Sequence, residues 1–100
     1  MKIAIASEVE NLEGVVSEKA GRASFYLFFE GEKFLKSVKN PFAFGSGGAG
    51  FAVAKMLSDE KVGLVIAGSL GGNMESALRE RRIEFKEFLG KIKEAIAKFS

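Results

Sequence analysis

The chain has 100 residues, 47% of them apolar and ten of them Phe, so residues 1–100 are expected to form a single packed domain with one modest core rather than a disordered segment. It contains no Cys and no His, which removes disulfides, thiolate nucleophiles and sulfur-ligated metals, together with the commonest general base and nitrogen ligand. The net charge of +2 is too slight to argue for nucleic acid, and the Lys- and Glu-rich balance with a single Asp leans towards a thermophilic source.

The opening "MKIAIAS" is apolar on both faces, as a central, doubly covered strand should be, and too short for a signal segment or a membrane span. A cytoplasmic protein with no membrane partner is the expectation. "SFYLFFEGEKFLKSVK" reads as two strands around a tight turn at Glu30, Gly31 and Glu32. The second of them carries Lys33, Lys36 and Lys39, the usual marking of a sheet edge that must not pair with other chains. "FAVAKMLS" is apolar nearly all round and is expected to be a buried helix. "VGLVIAG" is the best candidate for a parallel strand. "NMESALRERR" places Met74, Ala77, Leu78 and Arg81 on one helical face, and its basic run of Arg79, Arg81 and Arg82 complements a helix C-terminus. "IEFK" is a short strand, and "KIKEAIAKF" closes the chain as an amphipathic helix through Ile92, Ala95, Ile96 and Phe99.

The order is β-β-β-α-β-α-β-α: an antiparallel hairpin followed by right-handed parallel crossovers in a mixed sheet. The one long connection, Glu8 to Ala23, is of a length that is more often functional than idle.

Four glycines fall within the six residues "GSGGAG". Gly45, Gly47 and Gly50 match a dinucleotide-binding pattern, but the strand before them is the lysine-marked edge, and no acid stands near Ser69 or Leu70 to hold a ribose. No Gly-Lys-Ser/Thr follows to make a phosphate-binding P-loop. A mixed five-stranded sheet opening with a hairpin also suits ribonuclease H-like nucleases, yet the first strand centres on Ile3, Ala4, Ile5 and Ala6 where those enzymes place a metal-holding carboxylate. Acyl transfer lacks a Ser–His or Ser–Lys pair at suitable spacing. An enzyme therefore has the least support.

"MKIAIAS", "VSEKAGRASFYLFF", "NPFAFGSGGAGFAVAKML", "VGLVIAGSLGGN" and "KIKEAIAKF" together resemble, in order and spacing, the dinitrogenase iron–molybdenum cofactor biosynthesis family, the NifX/NafY type also found as the C-terminal domain of NifB. The resemblance covers essentially the whole chain. It implies a ribonuclease H-like, three-layer α/β fold without the nuclease site, and a role as a metal-cluster carrier that handles a cofactor or its precursor in nitrogen fixation-related assembly. Where that family typically reads Val-Ser-x-His-Phe-Gly-Arg-Ala, this chain has Val16 to Ala23 with Lys19 at the histidine position. Ser46 stands where the glycine loop often carries another histidine, and Gly71-Gly72-Asn73 replaces Gly-Pro-Asn. Arg22, the glycines and Asn73 carry over; the histidines do not.

In such a sheet the ends of the first, third and fourth strands point the same way, so Ser7 to Arg22, the glycine loop and "AGSLGGN" are expected to converge there. Two helices start at that end, and their free N–H groups favour an anion. The candidate binding residues are Ser7, Lys19, Arg22, Ser46, Gly47, Gly48, Gly50, Gly72 and Asn73, with Glu8, Glu10 and Glu18 on a loop free to face outward. Asn73 is equally a helix N-cap candidate, and Met56 and Met74 read as core residues rather than thioether ligands. No catalytic or metal-ligating residue is expected. No tightly bound cofactor is expected either, only an iron–sulfur or iron–molybdenum cofactor precursor held transiently. Two readings of the surface stay open: a binding module for an anionic cofactor or small molecule, served by metallocluster-assembly proteins, or a protein–protein adaptor that has lost cofactor binding.

Overall fold

The first strand, β1 (Lys2–Ser7), sets the layers by alternation. Its Ile3 and Ile5 point to one face of the sheet and Ala4 and Ala6 to the other, all four buried. The structure, a computed structural model, describes residues 1–44 and 48–100. β2 (Phe25–Glu30) and β3 (Lys33–Lys39) follow, then α1 (Ala49–Asp59), β4 (Leu64–Ala67), α2 (Gly72–Glu80), β5 (Glu84–Glu87) and α3 (Ile92–Phe99). The five strands lie in the order β3-β2-β1-β4-β5, so β1 is central and the lysine-marked β3 is an edge, as expected. β1–β2 and β2–β3 pair antiparallel, whereas β1–β4 and β4–β5 pair parallel. This is the mixed five-stranded α/β sheet expected from the element order, and it is compatible with a ribonuclease H-like arrangement.

Two clusters of apolar side chains fill the two faces. On the face of Ala4 and Ala6, the sheet buries Tyr26, Phe28, Val65 and Ala67 against Val53 and Leu57 of α1 and Met74 and Leu78 of α2. Small residues on the central strand let two helices come close on that side. On the opposite face Ile3, Ile5, Leu27, Phe29, Leu64 and Ile66 meet Ile92, Ala95 and Ile96 of α3. Fully burying a side chain of this size contributes roughly 1.5–3 kcal/mol, so these contacts hold the three layers together.

One expectation is overturned. The helix over "FAVAKMLS" is not buried all round: Val53, Ala54 and Leu57 are buried, but Phe51 is 51% exposed and Lys55 is exposed. The reason is geometric, because an outer-layer helix in so small a domain has only one flank against the sheet and its neighbour.

The Glu8–Ala23 connection is not a free loop. It bridges β1 through Ser7 and Val16, the start of α3 through Val15 and Lys91, and the end of β4 through Lys19 and Ser69. Gly68, just past β4, lets this connection come close. Its N–H donates to the Ser17 carbonyl at 2.8 Å, and a β-carbon on it would stand 2.7 Å from Glu18 Cα. Backbone cannot yield as a side chain does. Gly68→Ala is therefore expected to cost about 1–3 kcal/mol of stability in denaturant or thermal melts through overpacking. A variant that melts like the wild type would show that the connection is not held against β4.

Candidate functional site

A short 3-10 turn, Ala20–Arg22, carries the charged residues to the carboxyl end of the sheet, and four separate groups fix it there. The Ala20 N–H donates to the Ser69 carbonyl at 3.0 Å, and Ser69 Oγ returns a bond to the Glu18 carbonyl at 2.7 Å. From β2, the buried Tyr26 hydroxyl donates to the Ala20 carbonyl. Burial pushes the Tyr26 phenol far above its ordinary range, so it remains a protonated donor. From the end of β3, Asn40 Nδ2 donates to the Gly21 carbonyl at 3.2 Å and to the Ala23 carbonyl at 2.9 Å. The same amide accepts the Phe42 N–H through Oδ1 at 3.0 Å, so the buried Asn40 side chain ties the turn to the start of the glycine-rich segment.

The two helices above this end begin side by side. Gly48, the N-cap of α1, has φ 73°, a left-handed conformation in which glycine carries no β-carbon penalty. Gly50, in the first turn, faces α2 so closely that a β-carbon would lie 3.0 Å from Met74 Cβ and 3.1 Å from Met74 N. Neither α1 nor α2 has a side-chain cap among the described residues: their N-caps are Gly48 and Gly71. The first N–H groups of both helices lack intrahelical partners and carry the positive end of the helix dipole.

An open cleft of about 430 Å³ lies between these parts, bounded by residues 19–22, 48–50, Ser69 and 71–74. Lys19 and Arg22 supply positive charge, and none of its described lining residues is acidic. Both cations also line a second cleft, on the side of Glu8 and Glu18, so they form the ridge between the two. The electrostatic character of the first cleft is therefore that of two cations and two helix starts. Among the described residues no three His, Cys, Asp or Glu side chains cluster in a metal-ligating arrangement.

Lys19, Arg22, Gly48, Gly50, Gly72 and Asn73 thus come together from three separate segments. Ser46 and Gly47 lie outside the described residues. Ser7 is not part of the cleft lining: it is fully buried, and its Oγ donates to the Val9 carbonyl at 2.7 Å and accepts the Val9 N–H at 3.1 Å. That hydroxyl turns the chain out of β1. Asn73 is not the helix N-cap but the second residue inside α2, since Gly71 takes the cap position. Met74 is buried as a core residue.

Glu8 is exposed, as expected, but its carboxylate is engaged: it accepts the Ser17 hydroxyl at 2.6 Å and the Ser24 hydroxyl at 2.7 Å, bracing the long connection at its middle and its end. Burial alone would raise the Glu8 pKa, but these hydroxyls together with the Ser24 backbone N–H outweigh it and hold the carboxyl below its ordinary value of 4.5. Asn40, Tyr26, Glu8 and Ser69 are the residues that sequence reasoning missed as parts of the site's frame. The only local signal was Asn40-Pro41, which reads as a strand break and says nothing of the two carbonyls the amide reaches.

Removing the Asn40 amide would leave the Gly21 and Ala23 carbonyls and the Phe42 N–H without their partner, so Asn40→Ala is expected to cost about 1–3 kcal/mol in equilibrium unfolding. Near-wild-type stability would mean that the turn is held by Tyr26 and Ser69 alone. For Glu8 the sign follows from its depressed pKa: the contribution is present above pH 4.5 and is lost as pH falls through the folded-state value. Glu8→Gln should therefore lower stability at neutral pH by ~1 kcal/mol, discounted for exposure, with the gap to the wild type closing under acid. A gap that does not change with pH would remove the charge from this account.

Comparison with known proteins bears on the fold and the family. The family model described as dinitrogenase iron–molybdenum cofactor matches residues 1–100. No curated protein matches the chain. Among solved structures, the apo form of the orange protein from Desulfovibrio gigas is 25% identical with a TM-score of 0.90, the match covering 98% of this chain and 85% of that one. A NifB-like protein from Thermotoga is 28% identical with a TM-score of 0.83, over 98% of this chain and 85% of that one. A Methanocaldococcus jannaschii protein described as a candidate dinitrogenase, 17% identical with a TM-score of 0.60 over 98% of this chain and 89% of that one, shares the fold alone. Matched along all 100 residues, the chain belongs to the dinitrogenase iron–molybdenum cofactor family.

Proposed function

We propose that the protein is a small, non-catalytic, cytoplasmic binding module that carries an anionic cofactor or cofactor precursor, of the iron–sulfur or iron–molybdenum class, between metallocluster-assembly proteins. The observation that carries this reading is the carboxyl-end cleft, in which Lys19 and Arg22 meet the uncapped starts of α1 and α2 with no acid among the described lining residues. Family membership supplies the class of cargo. Here the cargo is held as an anion from outside: backbone N–H groups of Gly48, Gly50, Gly72 and Asn73 and the two cations bond its outer atoms, and Ser46 and Gly47, which precede Gly48 in the sequence, belong to the same proposed binding set. The donor set fits that mode. With no Cys or His in the chain, a soft metal has neither of its preferred protein ligands, so the cargo keeps its own ligands and exchanges readily. A reading as an adaptor draws support from Phe44, 94% exposed, and Phe51, 51% exposed, which flank the glycine-rich segment.

A charge-assisted contact contributes about 1.5–3 kcal/mol, so Arg22→Ser is expected to weaken anion binding by roughly tenfold to a hundredfold. The measurement is a titration of wild type and variant with sulfate, phosphate and an iron–molybdenum cofactor precursor at two ionic strengths. Salt should weaken the wild type more than the variant. Equal affinity of the two proteins, or no anion raising the wild-type melting temperature, would displace the carrier reading in favour of the adaptor.

A further inference from the structure

The basic run of Arg79, Arg81 and Arg82 lies at the opposite end of α2 from the cleft. There the helix closes in a Schellman motif, with the Ile83 N–H donating to the Leu78 carbonyl at 2.9 Å and the Arg82 N–H to the Arg79 carbonyl at 3.0 Å. The residue in the left-handed position of this motif is Arg82, at φ 59°. Glycine is the usual occupant, because a β-carbon is unfavourable there. Complementing the helix dipole is the simplest reason for a cation at this end, but a lysine or arginine within the last turn does that without backbone strain, and Arg79 already does.

Arg82 has more around it than a helix end. With Arg79 and Lys86 it lines an open groove of about 440 Å³ in which Glu84 is the one acid among the described lining residues. Arg79 lies over the Phe85 ring, 5.1 Å from its centroid, and reaches Glu75 at 3.7 Å. Arg82 and Lys86 have no ion-pair partner among the described residues. The groove borders β5, the last strand of the sheet. The N–H groups of Glu84 and Phe88 bond to the Gly63 and Ala67 carbonyls on the β4 side. By the alternation of a parallel ladder, the backbone N–H and C=O of Phe85 and Glu87 then face the open edge. The other edge, β3, is guarded by Lys33, Lys36 and Lys39, whereas β5 carries a single lysine, Lys86, between Glu84 and Glu87, the latter engaged by the Leu70 N–H.

We infer that this groove docks an acidic, extended polypeptide segment of a partner protein, which adds as a strand to β5 and sets its carboxylates against Arg79, Arg82 and Lys86. The open ladder supplies backbone hydrogen bonds that only a polypeptide in strand conformation can complete, and the surplus of cations selects acidic side chains on it. The site lies a helix length, about 13 Å, from the anion cleft, so it stands or falls independently of that reading.

The test uses a fluorescein-labelled peptide of alternating Val and Glu, followed by anisotropy with the whole protein. Arg82→Gly keeps the turn and relieves its left-handed residue, so it should melt at or above the wild-type temperature while binding the peptide about threefold to tenfold more weakly. Lys86→Ser, an exposed strand position, should weaken binding to a similar extent, and added salt should erase most of both differences. Methylating alternate backbone nitrogens of the peptide should abolish binding, because those N–H groups form the new ladder. The proposal is overturned if the wild type does not bind the peptide, if both variants bind as tightly as the wild type, if the methylated peptide binds like its parent, or if a single-stranded DNA oligonucleotide of equal charge binds more tightly.

Discussion

The structure depends above all on how the 3-10 turn at Ala20–Arg22 is held to the carboxyl end of the sheet. Three of its carbonyl or amide groups are met by elements distant in sequence: Ser69 beyond β4, Tyr26 on β2 and Asn40 at the end of β3. Each of those partners is itself anchored by the core or by a strand, so the turn inherits their rigidity. A connection of seventeen residues between β1 and β2 would otherwise lose much of any binding energy to ordering. The ordering cost of the backbone that carries the exposed Lys19 and Arg22 is therefore met on folding.

Gly50 has a structural duty that comes before any ligand. Gly50 lets the start of α1 press against Met74 at the start of α2, and that approach brings two uncapped helix N-termini to one cleft. With larger residues at the contact the helices would separate, and their starts would no longer line one cleft. Packing and electrostatics are therefore coupled at this position, as they are at Gly68, where β4 meets the long connection.

The element order, the central place of β1 and the edge character of β3 were all legible in the sequence, because they follow from local alternation and charge marking. The convergence of Lys19, Arg22, Gly48 and Asn73 was legible too, since strand direction dictates which loops share an end of the sheet. What sequence could not show were contacts between distant residues. Asn40 reaches carbonyls 17 and 19 residues away, and Tyr26 satisfies one in the turn before its own strand; neither leaves a periodic pattern. The bracing bonds of Ser7 and Glu8 were hidden for the same reason, because a serine or glutamate near a site looks alike whether it faces a ligand or braces the chain. The all-round apolar look of "FAVAKMLS" misled because apolar residues on an outer helix need not be buried.

The central claim is that one preorganised cleft, built from the turn and two helix starts, binds an anion through backbone N–H groups and the cations beside them. The most direct measurement is amide chemical-shift mapping of the isotope-labelled protein during titration with phosphate and then with an iron–molybdenum cofactor precursor. The account predicts saturable shifts confined to the amides of residues 19–22, 48–50 and 71–74, with the same set moved by both ligands. Shifts scattered over the surface lysines, or a set centred elsewhere in the fold, would contradict it.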